Sequence, residues 1–175
     1  MDTYPITIGN LTRRVPLHEP FPGVRLPLID FLGDVGLAKA LAEALVKHVP
    51  AETDVLVTAE TSSIPLVHEM AALLGKPYVV VRKRRRPYMH DPLIQEVESL
   101  TLGANEVLWL DRRYVERLLN QKATLVIDVV ASGGTMHALE RLVHRAGAEV
   151  VARLAAFRQG TPKVEVVALE ELPVL

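Results

Sequence analysis

Cysteine is absent from the 175 residues, which removes disulfides, thiolate metal sites and cysteine nucleophiles together. That absence suits a reducing compartment. An excess of either charge is missing too. Twenty basic residues stand against 21 acidic ones, for a formal net charge of −1. The molecule as a whole is therefore not built to coat nucleic acid or an acidic membrane, and any positive potential that matters must be local. No apolar stretch approaches the roughly 18–20 uninterrupted residues that cross a bilayer. Residues 1–10 lack a basic segment followed by an apolar run, so no secretory signal is visible. The chain is expected to be soluble and cytoplasmic, with neither nucleic acid nor membrane as a partner. The six histidines show no metal-binding spacing such as HExxH, and a metal held by protein side chains alone is not expected. Repeats and low-complexity tracts are missing as well. What is present is an ordinary globular composition, 49% hydrophobic and 23% charged, long enough for one domain with a sizeable core.

Residues 1–30 carry Pro5, Pro16, Pro20, Pro22 and Pro27, too many for a regular helix, and short extended pieces near Tyr4–Ile8 and Val24–Ile29 are predicted. Beyond them strand and helix alternate. Leu37, Leu41, Leu45 and Val46 recur at helical spacing from Val35 to His48, until Pro50 stops the helix. Asp54–Ala59 reads as a buried strand. A helix entered through Pro65 ends at Gly75, and Tyr78–Val81 follows as a strand. Residues 82–103 open on the basic run Arg82–Arg86 and are poorly periodic; a connection this long is a functional lid or a disordered segment. Glu106–Leu110 is predicted as a strand and Asp111–Leu119 as a short helix. Thr124–Val130 is the clearest buried strand, followed by a helix over Met136–Ala146, a strand over Val150–Phe157 and a β-rich tail near Val164–Leu169. The pattern implies an α/β fold, a parallel sheet flanked by helices. In such sheets ligands lie beyond the carboxyl ends of the strands, where three polar loops fall: 60–63, 82–103 and 131–135.

The third loop carries the chemistry. Ala131-Ser132-Gly133-Gly134-Thr135 leaves a buried strand and opens a helix. Its glycines bring main-chain N–H groups close to a ligand, two hydroxyls stand beside them, and a helix N-terminus favours an anion. A phosphate monoester suits that set; a plain tight turn is the alternative. The lysine of the GxxxxGK[ST] nucleotide loop is not there. Asp128, a charge near the end of an apolar strand, needs a partner or a ligand.

Leu125–Thr135, LVIDVVASGGT, resembles the phosphoribosyl-pyrophosphate (PRPP) signature of type I phosphoribosyltransferases, in which an apolar strand runs through two acidic residues into a Thr/Ser-Gly-Gly-Thr turn. The resemblance implies that Ala131, Ser132, Gly133, Gly134 and Thr135 cradle the ribose 5-phosphate and that Asp128 holds a ribose hydroxyl. Ile127 occupies the first acidic position, removing one acceptor. Thr58–Ser63, TAETSS, resembles the pyrophosphate loop of xanthine phosphoribosyltransferases and implies pyrophosphate binding by Thr61, Ser62 and Ser63. Val81-Arg82-Lys83 resembles the Arg-Lys pair of adenine and xanthine enzymes and implies that Arg82 and Lys83 act on pyrophosphate; a solvated basic run is the alternative, and for Arg84–Arg86 the better one. Glu98–Thr101 falls where the family has its mobile catalytic loop, here 84–103. Phe21 and Phe157 correspond to hood pieces that sandwich the base, although each also reads as core.

The family implies one domain over 1–175, with a core of about 33–157 and a small hood from about 1–32 and 158–175. It further implies a homodimer and magnesium arriving with PRPP. The activity implied is transfer of the phosphoribosyl group to a purine base with release of pyrophosphate. A protein that binds PRPP or a nucleotide without turnover, and another phosphate-binding α/β enzyme, are the competing readings.

Overall fold

A computed structural model describes residues 2–98 and 106–175 of the chain. The proline-rich start forms an antiparallel three-stranded sheet of β1 (Thr3–Ile8), β2 (Leu11–Phe21) and β3 (Val24–Pro27). Strand β2 lies where only scattered extended pieces were predicted. Its prolines fit because an extended chain tolerates their fixed φ and this small sheet is mostly edge. The C-terminal residue joins it: Arg25 N–H donates to the Leu175 carbonyl at 2.8 Å, and Leu175 N–H to the Arg25 carbonyl at 3.0 Å.

Helix α1 (Val35–Leu45) starts at Asp34, whose carboxylate accepts from Leu37 N–H at 3.0 Å and from Arg13 Nε at 2.7 Å. The cap satisfies one of the free first-turn N–H groups. Strand β4 (Val55–Ala59) is buried throughout, α2 (Ser63–Leu74) ends on left-handed Gly75, and β5 (Tyr78–Val81) follows. Next come β6 (Leu93–Val97), β7 (Glu106–Leu110), α3 (Arg112–Leu118), β8 (Lys122–Val130), α4 (Gly134–Arg145), β9 (Glu149–Gln159) and β10 (Val167–Leu172).

The main sheet has five strands in the order β10-β9-β8-β4-β5, every pair parallel. Alternation along β8 divides the core between its two faces. Leu125 and Ile127 pack toward α4, with Met136, Leu139 and Val143. Val126 packs toward α1 and α2, with Leu41, Leu66 and Met70. A buried side chain of this size contributes about 1.5–3 kcal/mol, so the opposed faces hold β8 firmly where its carboxyl end must be placed. No helix among the described residues is long and apolar enough to cross a membrane.

The segment 82–103 is not one irregular loop. Strand β6 lies within it, paired antiparallel with β7. Leu93, Gln95 and Val97 are the less exposed positions of an alternating strand, and Leu93 and Val97 join the core on the α4 side. Polar Gln95 and Glu96 between them conceal that period. Residues 99–103 of the expected mobile loop, including Ser99, Leu100 and Thr101, lie outside the described residues.

Candidate active site

Because β4, β5 and β8 are parallel, the loops that leave them gather at one edge of the sheet. There they enclose a cavity of about 190 Å³ with Thr61, Ser62, Ser63, Lys83, Asp128 and Thr135 on its wall. Three separate stretches of sequence contribute to it.

Asp128 is held by both neighbours. The Ser62 hydroxyl donates to its Oδ2, Val129 N–H donates to Oδ1 at 2.8 Å, and Asp128 N–H donates to Ser63 Oγ at 3.0 Å. Its half-buried carboxylate is thereby aimed before any ligand arrives, and charge-assisted bonds of this kind are the stronger ones. The same bonds revise the expectation for Ser63. That residue is 4% exposed and its hydroxyl accepts from Asp128 N–H, so its side chain supports the end of β8 that carries the carboxylate. What the 60–63 loop does present is the N-terminus of α2, whose first N–H groups lack intrahelical partners. The Glu60–Thr61 peptide is cis.

The 131–135 turn is built for close approach. Gly133 has φ +95°, and a Cβ there would lie 2.7 Å from Val164 Cγ1; a Cβ on Gly134 would run into the carbonyl oxygen of Glu98. No larger residue fits either place. Lys163 N–H donates to the Ser132 carbonyl at 3.1 Å, and Gly134 N–H to Ser132 Oγ at 3.3 Å. Ala131 and Ser132 are exposed. Thr135 faces the cavity with Asp128, while Ser132 and Gly134 border an adjoining space of about 200 Å³ with His137, Arg141 and Lys163. Thr135 therefore opens on one space and Ser132 and Gly134 on the other, whose wall also carries Glu96 and Glu98, while Gly133 is buried between them.

Arg82 and Lys83 part company. Lys83 is on the cavity wall, and its ammonium pairs with Glu106 at 2.8 Å. Arg82 turns to the other face of β5, where it lines a separate hollow with Tyr78, Val80, Tyr88, Tyr114 and Arg117. The period of two explains this: Tyr78, Val80 and Arg82 share one face, and Lys83 continues the other. Arg82 is thus not on the wall of the cavity that Lys83 lines. Its guanidinium instead meets Glu60 at 3.3 Å, beside Arg86 at 3.5 Å. Glu60 also accepts from Lys83 N–H at 2.7 Å and is 8% exposed. Sequence reasoning missed Glu60, although a carboxylate directly after the buried run Val55–Ala59 signals a paired charge.

The aromatic candidates are not at the cavity. Phe157 has no exposed surface and packs on Phe31 with ring centroids 6.4 Å apart, so the base-contact expectation is corrected: β9 turns that position into the α1 face of the core. Phe21 is 60% exposed at the tip of the β2–β3 hairpin. Ile127 is 4% exposed, packs toward α4 and closes the cavity floor without an acceptor. The shifted carboxyls lie elsewhere: Arg13, Arg113 and Arg153 hold Asp34, Asp111 and Glu140 below the usual carboxylate range. Among the described residues no group of three or more His, Cys, Asp or Glu could hold a metal ion.

Comparison with known proteins places these features in context. The family model for the phosphoribosyl transferase domain matches residues 35–170. A hypoxanthine/guanine phosphoribosyltransferase of Methanococcus voltae is 29% identical over 150 residues, covering 86% of this chain and 73% of the relative. One from Methanotorris igneus is 30% identical over 128 residues, 73% of this chain and 66% of the relative. The crystal structure of adenine phosphoribosyltransferase from Thermoanaerobacter pseudethanolicus aligns with TM-score 0.74 at 21% identity, over 90% of this chain and 95% of that one. The corresponding structure from Rhodothermus marinus aligns with TM-score 0.70 at 23% identity, over 97% and 93%. At such identities the structural likeness speaks for the fold.

Proposed function

The chain belongs to the phosphoribosyl transferase domain family, and on that premise we propose that it transfers the phosphoribosyl group of PRPP to a purine base, releasing pyrophosphate. The observation that carries this reading is the meeting of Asp128, Lys83, Thr135 and the start of α2 around one cavity. The relatives related in sequence are named for hypoxanthine and guanine, which favours a 6-oxopurine acceptor.

A ring nitrogen of the base attacks C1 of the ribose, the bond from C1 to the pyrophosphate oxygen breaks with its electron pair leaving on pyrophosphate, and the ring N–H proton of the base passes to pyrophosphate or solvent. Positive charge grows on the sugar and negative charge on the leaving group. The turn 131–135 fixes the 5-phosphate through N–H groups and the Ser132 and Thr135 hydroxyls, which places C1. Asp128, aimed by Ser62 and Val129 N–H, accepts from a ribose hydroxyl. Lys83 and the first N–H groups of α2 stabilise the departing pyrophosphate. Asp128 and the nearly buried Glu60 both border the cavity, and no protein cage of three such groups exists among the described residues, a donor set that fits magnesium carried on PRPP with its own waters; when bound, it would supply charge to the leaving group. A cytoplasmic homodimer completes the proposal.

The test is pyrophosphate release with PRPP, magnesium and a panel of hypoxanthine, guanine, xanthine and adenine. Turnover with a 6-oxopurine is expected. Binding of PRPP without turnover of any base would instead support the sensor reading, which the absent acceptor at Ile127 favours; neither binding nor turnover would remove the proposal.

A further inference from the structure

Glu60 presents a difficulty for a cavity that takes pyrophosphate. Its carboxylate is 9% exposed as a side chain and borders the same space as Asp128. A nearly buried charge requires a partner, and an uncompensated one there would repel the incoming polyanion. With Glu106, which pairs with Lys83, three carboxylates stand at this corner. Lys83 alone does not balance them. Arg82 and Arg86 do, and neither is on the cavity wall.

Arg86 is set apart from the rest of its basic run. Its carbonyl accepts from Met89 N–H at 3.0 Å, and Met89 is 2% exposed. A buried anchor thus fixes the turn that carries it, whereas Arg84 and Arg85 are exposed. We infer that Arg86 is a positioning residue for the pyrophosphate end of the cavity. It cancels the charge of Glu60, which in turn holds the Lys83 main chain. Arg86 touches no substrate and acts through Glu60. This inference rests on the proposed phosphoribosyl transfer and deepens it.

A double-mutant cycle tests it, read as PRPP affinity with magnesium by calorimetry and as KM against kcat. Arg86→Met should weaken PRPP by roughly fivefold to tenfold, with a smaller change in kcat. Arg86→Lys should recover most of the loss. In a Glu60→Gln background the further change Arg86→Met should have no effect on affinity. Thermal melting reads the same coupling between positions 60 and 86 without PRPP. Arg85→Met is the control for general loss of positive charge and should leave affinity unchanged. Equal losses in both backgrounds would make Arg86 a direct contact and overturn the inference, as would no loss in the parent or an equal loss in Arg85→Met. A parent that binds no PRPP defeats the functional reading and this inference with it; a parent that binds PRPP but shows no coupling defeats this inference alone.

Discussion

The two ends of the cavity hold charge by different means. At the 131–135 turn the groups next to an anion are N–H groups and hydroxyls, with Arg141 and Lys163 across the adjoining space, and the nearest atoms to Gly133 and Gly134 belong to Val164 and the Glu98 main chain. At the 60–63 and 82–86 corner ions join the start of α2: Glu60 with Arg82 and Arg86, and Lys83 with Glu106. A site whose nearest groups are main-chain dipoles depends more on backbone shape than on ionic strength. A site made of partly exposed ions depends on charge balance and is screened by salt. The comparison therefore predicts that damage at the turn is abrupt, while damage at the corner is graded and salt-dependent.

The largest effect should come from the turn. Gly134→Val puts a side chain where the Glu98 carbonyl sits. PRPP binding by calorimetry should fall below detection, with about 1–3 kcal/mol of lost stability in denaturant unfolding. Unchanged affinity would break the comparison at its strongest point. Next comes Asp128→Asn, at the junction of the two ends. The replacement still accepts from Val129 N–H but loses its charge, so PRPP should bind about tenfold or more weakly while the melting temperature moves little. Lys83→Met should raise KM for PRPP by about fivefold to tenfold at low salt, and by less as salt is added; a loss equal at all salt concentrations would contradict an ionic corner.

The smallest effect belongs to an ion pair away from the cavity, which shows what a purely structural pair does. Arg153 pairs with Glu140 and holds its carboxyl below the ordinary 4.5. A depressed folded value stabilises the protein above the unfolded one, and that contribution is lost as pH falls through the folded value. Arg153→Met should therefore lower stability slightly at neutral pH and flatten the acid limb of melting temperature against pH, leaving PRPP affinity at pH 7 unchanged.

Much of the frame was legible because its signals are local. Buried runs such as Val55–Ala59 and Thr124–Val130, Gly75 after a helix and the Ser-Gly-Gly-Thr turn each specify their own conformation. What escaped depends on partners distant in sequence. Strand β6 is recognised only once Val97 has α4 to pack on, and Ser63 is a support only once β8 brings Asp128 to it. The parting of Arg82 from Lys83 was legible: adjacent residues that continue a strand point to opposite faces, so the two side chains leave β5 on different sides. Phe157 was ambiguous until the sheet order put β9 beneath α1, since an apolar ring suits a core and a base site equally.

The most direct test follows the main-chain amide signals of the chain in an NMR titration with PRPP and magnesium. The account predicts that Ser132, Gly133, Gly134 and Thr135 shift most, together with Thr61, Ser62 and Lys83. Shifts confined to other regions, with the 131–135 amides unmoved at saturation, would contradict it.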